Sequence, residues 1–227
     1  MGRPVTRPRL LDLFCGAGGA AMGYHRAGFD VVGVDIKPQP DYPFEFHQAD
    51  ALTYPLDGFD AIHASPPCQT YSKWLRHLTV KSVGKWEGLL DQTREHLAGR
   101  LHVIENVPGA PIADQPALFS SDGIMLCGTS FGLGYQGPKG WLELRRHRLF
   151  ESSVTLASKG PCRHTGRTIN PYNTRSRRAA GLSSSESERG LRAAIGVDWC
   201  RNFDQAREAI PPAYTEFIGR QLIAGLA

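Results

Sequence analysis

Seven short runs of β-forming residues dominate the first two thirds of the chain: RLLDLF, DVVGVDI, FEFHQAD, DAIHASP, LHVIENV, GIMLCG and HRLFESS. They alternate with segments of helical or loop composition, the rhythm of an α/β, doubly wound Rossmann-like sheet with crossover helices. Gly19 to Ala27 and Trp86 to Ala98 have helical composition, the second with an acidic start and a stop at Gly99. After Phe150 the texture changes to ASKGPCRHTGRTINPYNTRSRRAAGLSSSESERG, which reads as an exposed, weakly structured insert. The end, IPPAYTEFIGRQLIAGLA, restores an amphipathic helix after two prolines. The expected organisation is a catalytic domain over 1–150, a small reduced lobe over 151–188 and a return to the main core over 189–227.

The 227 residues suffice for one good core, and a formal net charge of +4 permits a polyanionic partner without demanding one. No apolar run approaches the roughly 18 residues of a membrane span, and the start MGRPVTRPR has no apolar signal-peptide core. An intracellular protein with no membrane partner is expected. Five cysteines without a CxxC pair fit a reducing compartment better than a disulfide framework or a zinc site, so no metal is expected.

Each run ends on residues that carry chemistry. The first passes into DLFCGAGG, where Gly16, Gly18 and Gly19 make a strand-to-helix turn that lets backbone approach a ligand; a plain tight turn is the alternative. The second ends in GVDI, placing Asp35 where an acid accepts hydrogen bonds from a ribose diol, and the third ends in QAD, placing Asp50 within reach of an adenine amino group. Either acid alone serves equally as a cap or turn residue, but three strand ends in register favour a nucleoside-bearing cofactor. The fourth delivers Pro66, Pro67 and Cys68 on a stiff corner, with Lys73, Arg76 and His77 nearby to favour a thiolate. A small buried hydrophobe is the competing reading of Cys68. The fifth ends in ENVPG; Glu105, emerging from the apolar LHVI, is partly desolvated and suits a proton donor, or else caps a turn before Pro108.

These residues resemble a family, the DNA (cytosine-5) methyltransferases. DLFCGAGG is similar to its cofactor loop, PPCQ to its nucleophile motif, ENV to its glutamate motif and RRHR to its arginine motif, in the family's order. The resemblance spans about Leu10 to Phe150 and, more loosely, Arg189 to the C-terminus. It implies S-adenosylmethionine as methyl donor, with Phe14, Gly16, Gly19, Asp35, Ile36, Asp50, Ala51 and Pro67 around it. It implies catalysis by Cys68 adding at cytosine C6, Glu105 protonating N3, Asn106 beside it, and Arg146 and Arg148 holding the cytosine O2 or an adjacent phosphate. The partner implied is double-stranded DNA with the target base flipped out, met by a protein read as monomeric. The stretch after Cys68 then fits a closing loop in which Gln69, Ser72, Lys73 and Arg76 meet DNA.

Departures from the family pattern are specific. Leu144 stands where the arginine motif opens with glutamine, and FIGRQL replaces a Gly-Asn-Ser-Val run near the C-terminus. Arg189, in RGLRAAIGVDW, is a candidate bracing residue. The span 151–188 is short for target recognition, which implies a short or relaxed recognition sequence in a compact enzyme of the kind bacteriophages carry. Arg163, Arg167 and Arg175 are its candidate DNA contacts, with Asn170 and Asn173 beside them. The alternatives are a transfer RNA cytosine-5 methyltransferase, a non-catalytic DNA-binding protein that keeps the fold, and an enzyme using a modified donor.

Overall fold

A computed structural model describes residues 7–67, 88–108, 110, 123–169 and 174–226. All seven runs are strands of one sheet: β1 (Arg9–Leu13), β2 (Asp30–Asp35), β3 (Glu45–Gln48), β4 (Ala61–Ala64), β5 (His102–Asn106), β6 (Ile124–Leu126) and, in the same sheet, β9 (Arg148–Ser152). Their order is β3-β2-β1-β4-β5-β9-β6, with β1 to β5 parallel and β9 antiparallel to both its neighbours. The fold class expected from the sequence is therefore the one observed.

Burial on both faces explains why the central strands β1, β2, β4 and β5 are nearly continuous in apolar residues rather than alternating, unlike the exposed edge strand β3. From β1, Leu10 joins a core with Tyr24 and Phe29, and with Tyr214, Ile218 and Leu222 of the C-terminal helix. Leu11 and Leu13 point the other way, into a core with Val34, Ile62, Leu90, Leu97 and Ile104. Helix α1 (Gly19–Ala27) and the last helix, α6 (Pro212–Leu226), pack closely because glycines meet at their crossing: a Cβ on Gly23 would lie 2.0 Å from Thr215 Oγ1, and one on Gly219 would lie 2.7 Å from Ala27 Cβ. Helix α2 (Leu89–His96) is fastened to β9 by a two-pronged pair, Arg94 Nε to Glu151 Oε1 at 2.8 Å and Nη2 to Oε2 at 2.7 Å. It ends before Gly99, at φ 77°, as the Gly99 stop anticipated.

A second, three-stranded sheet, ordered β10-β8-β7, joins β7 (Gly134–Gly137), β8 (Gly140–Glu143) and β10 (Arg167–Thr168). It packs with the helices α4 (Ser184–Ile195) and α5 (Phe203–Glu208) around a separate core containing Leu142, Leu144, Ile169, Leu191 and Ile195, with the short helix α3 (Thr174–Ala179) leading into it. The stretch read as weakly structured thus holds a strand and two helices. Its Ser-rich run hides a capping box: Ser183 Oγ accepts from the Glu186 amide at 3.2 Å while Glu186 Oε2 accepts from the Ser183 amide at 2.9 Å. Replacing Ser183 with Ala is expected to cost about 1 kcal/mol in urea unfolding while leaving activity unchanged.

Candidate active site

Five parallel strands deliver their carboxyl ends to one edge, and the order 3-2-1-4-5 reverses between β1 and β4, the switch point where folds of this kind open a crevice. At that edge the chain leaves β1 through left-handed backbone at Phe14 (φ 56°), Gly16 (φ 49°) and Gly18 (φ 79°). Phe14 is the one described non-glycine residue with positive φ, a conformation that costs energy and concentrates at functional sites. The Asp35 carboxylate accepts from the Gly16 amide at 3.1 Å and from the Lys37 amide at 2.9 Å, locking the second strand end to the glycine loop.

The glycines have different reasons for being glycine. Nothing lies within 4 Å of where a Cβ on Gly16 would stand, so that face of the loop is open to a ligand. Gly19 is buried under the chain entering α6, with the Ile210 carbonyl oxygen 2.3 Å from its Cβ position. Its smallness serves packing. Ile36, 65% exposed, offers a bare apolar surface beside Asp35. Asp50 is exposed and accepts from the Leu52 amide at 2.9 Å, whereas Ala51 is buried in the core beneath it. The second lobe supports the loop, since the Trp199 indole N–H donates to the Ala17 carbonyl at 3.0 Å. An open left-handed turn, a ribose-height carboxylate and an exposed aliphatic side chain fit a nucleoside-bearing cofactor.

Glu105 lies at the same edge, 6% exposed. Arg148, at the start of antiparallel β9, brings its Nε to 2.7 Å from Glu105 Oε1. The approach is too oblique for a hydrogen bond, so that buried oxygen accepts none. Burial raises the Glu105 pKa above the ordinary carboxylate value, against the attraction of Arg148 and Arg146 and a hydrogen bond from Ser65. The protonated acid is thereby favoured. Arg146 is half-buried, and its carbonyl accepts from the Tyr214 hydroxyl of α6.

Asn106 is fully buried, and its Nδ2 donates to the Pro66 carbonyl at 3.2 Å while its Oδ1 accepts from Val107 N at 2.9 Å. It therefore ties the corner formed by Pro66 and half-buried Pro67 to the end of β5. Cys68, Gln69, Ser72, Lys73 and Arg76 lie outside the described residues, as do Asn170 and Asn173. Arg163, Arg167 and Arg175 are all exposed on the second lobe; Arg167 donates to the Ala179 carbonyl at 3.3 Å, which holds it against α3. Arg189 is exposed on α4, and it is Arg192 that braces this region, donating to the carbonyls of Cys200 and Arg201 at 2.9 Å each. Gly219 packs on α1 and Gln221 Oε1 accepts from Ala157 N at 2.7 Å, so both have packing duties.

One line of buried polar groups escaped the sequence reading. The Tyr24 hydroxyl meets His63 Nδ1 at 3.1 Å and His63 Nε2 meets Ser65 Oγ at 2.8 Å, which brings the line to the end of β4 beside Glu105. Burial pushes the His63 pKa down to about 3, so the ring is neutral. The signal was the alternation in IHAS: His63 and Ser65 share one face of β4, and one step beyond the Ala64 and Ile104 pair Ser65 stands opposite Glu105.

No family model matches the chain. A 35-residue stretch, 15% of the chain, is 57% identical to the type II methyltransferase M.XorII of Xanthomonas oryzae pv. oryzae, and it spans only 8% of that protein. Two solved structures are similar along nearly their whole length. The S. pombe Dnmt2 methyltransferase aligns over 97% of this chain and 99% of its own, with TM-score 0.58 and 13% identity. The Entamoeba histolytica methyltransferase EhMeth aligns over 98% and 99%, with TM-score 0.57 and 11% identity. The chain has the Rossmann-like methyltransferase fold.

Proposed function

We propose that the protein is an S-adenosylmethionine-dependent cytosine-5 methyltransferase acting on double-stranded DNA. The observation that carries this reading is the buried Glu105 beside Arg148, its pKa raised by burial, set at the same sheet edge as the Phe14–Gly16 loop, Asp35 and the Pro66–Pro67 corner that precedes Cys68. Asp35 would hold the ribose hydroxyls, Ile36 would cover the adenine and the open face over Gly16 would admit the amino-acid end. When bound there, S-adenosylmethionine supplies an electrophilic methyl group.

The chain's own residues would prepare the cytosine. C5 of neutral cytosine is a weak nucleophile, so the Cys68 thiolate adds to C6, forming an S–C bond and pushing electron density toward N3. Glu105 gives N3 a proton as that density arrives, which leaves an enamine with C5 nucleophilic. Arg146 and Arg148 hold the O2 or flanking phosphate, and Asn106 keeps the corner before Cys68 in place. After methylation, loss of the C5 proton and departure of the Cys68 sulfur restore the aromatic ring. The 35-residue match to the type II methyltransferase M.XorII supports a methyl-transferring enzyme. The short span 151–188 supports a compact enzyme with a relaxed recognition sequence, of the kind used in restriction protection or its evasion.

Tritium transfer from labelled S-adenosylmethionine to duplex DNA and to transfer RNA, with the Cys68→Ser variant beside the native chain, tests this. Label in DNA that disappears with Cys68→Ser is expected. Label in transfer RNA alone would replace the substrate, and full activity of Cys68→Ser would remove the covalent mechanism.

A further inference from the structure

The expectation of no metal meets a group of four side chains at the β6 and β9 end of the carboxyl edge. Cys127, His147, Cys162 and His164 bring one ligating atom each to within 4.8 Å of one another. Two of the contacts cross the group: Cys127 Sγ to His164 Nε2 at 3.4 Å and His147 Nε2 to Cys162 Sγ at 3.3 Å. A tetrahedral zinc ion with Zn–S near 2.3 Å and Zn–N near 2.0 Å separates sulfur and nitrogen ligands by about 3.5 Å. Both sulfur–nitrogen contacts are close to that separation. The two imidazoles stand edge to face, centroids 5.0 Å apart.

We infer that these four residues bind a structural Zn²⁺ ion. Two thiolates and two imidazoles match the Cys₂His₂ donor set, and soft sulfur with imidazole excludes the oxygen-preferring cations. All four coordination positions are filled by protein, which leaves no open site for water or substrate. The role is therefore structural, and it stands whatever reaction the enzyme catalyses. Thr129 Oγ1 lies 3.4 Å from Cys127 Sγ, where a hydroxyl can donate to the metal-bound thiolate.

Topology says what the ion would join. Cys127 follows β6, and His147 precedes β9 between Arg146 and Arg148, so both lie at the carboxyl edge, since Leu126 pairs with Arg148 there. Cys162 and His164 belong to the loop entering the second lobe. Directly after it, Glu143 accepts from the Thr165 amide, the Thr165 hydroxyl and the Gly166 amide at 3.2, 3.0 and 2.8 Å. The ion would thus clamp the start of the 151–188 span, with exposed Arg163 between its two ligands, onto the segment that carries Arg146 and Arg148. Spacing hid the site: only Cys162 and His164 are close in sequence, and CxH is not a pattern that announces zinc.

The full chain, purified under reducing conditions from zinc-supplemented medium, is expected to carry about one zinc per chain by elemental analysis. Cobalt replacement should give intense visible d–d bands and a near-ultraviolet thiolate charge-transfer band. Cys162→Ser and His164→Ala should each lower bound zinc at least several-fold, while Cys200→Ser, whose buried thiol is outside the group, should keep it. His164 is exposed, so its substitution does not endanger folding, and circular dichroism of that variant separates metal loss from unfolding. Zinc-free native protein, a Cys127–Cys162 disulfide in the reduced preparation, or equal zinc in the native, Cys162→Ser and His164→Ala chains would each overturn the assignment.

Discussion

Glu105→Gln is expected to lower kcat for methyl transfer by about 10²- to 10⁴-fold, the range that a positioned general acid contributes. The substitution keeps shape and burial but removes the carboxyl proton, whose retention burial favours by raising the Glu105 pKa above the ordinary carboxylate value. Because its partners are Arg148, Arg146 and Ser65, whereas the cofactor would be held by the Phe14–Gly16 loop and Asp35, the affinity for S-adenosylmethionine, measured by calorimetry, should change less than twofold to threefold. Ser65→Ala is the positioning counterpart. It removes the hydroxyl that meets His63 and that lowers the Glu105 pKa, without touching the reacting ring, and a loss nearer tenfold is expected, with the acidic limb of the kcat profile displaced. A Glu105→Gln enzyme with native kcat would remove Glu105 from the proposed chemistry.

That prediction rests on a residue whose importance was visible in ENV but whose company was not. The seven strands were legible because runs such as DVVGVDI combine β-branched residues with a clear Gly or Asp terminus, and burial on both faces makes the central ones nearly continuous. The second sheet was illegible because its strands are GYQG, GWLE and the dipeptide RT, too short and too glycine-rich to alternate. Among the site residues, Asp35 could be placed from its offset beyond the glycine loop, since parallel topology fixes where strand ends go. The contact of Arg148 with Glu105 depends on β9 returning antiparallel beside β5, a non-local pairing that no local pattern encodes. The glycines show the same limit. GAGG reads as one ligand loop, but Gly16 is open to a ligand whereas Gly19 is needed for the passage of Ile210.

Asp12→Asn is expected to stabilise the protein increasingly as pH rises from 6.5 to 8. Asp12 is fully buried in the middle of β1, its Oδ1 has no hydrogen-bond partner and its Oδ2 accepts only a long bond from the Tyr42 hydroxyl, 3.4 Å. Burial, aided by Asp35, pushes its pKa up to about 8, against the hydrogen bond from Tyr42. Between 3.8 and 8 the folded state therefore holds a proton that the unfolded chain has released, and rising pH favours unfolding by up to about 1.4 kcal/mol per pH unit. His63 works in the opposite sense: folded it titrates near 3 and unfolded near 6.5, so across that interval rising pH favours the fold and offsets Asp12. Above 6.5 the offset ends, and Asp12 alone of this pair keeps titrating, for a loss of about 2 kcal/mol by pH 8. Asparagine fits the same space, carries no titrating proton and can donate to Tyr42. Glu105, also raised, contributes equally to both chains and cancels from their difference. Urea unfolding of native and Asp12→Asn proteins at pH 6.5 and 8 should show the gap between them widening by about 2 kcal/mol, and parallel stabilities at the two pH values would show that Asp12 is already ionised in the fold.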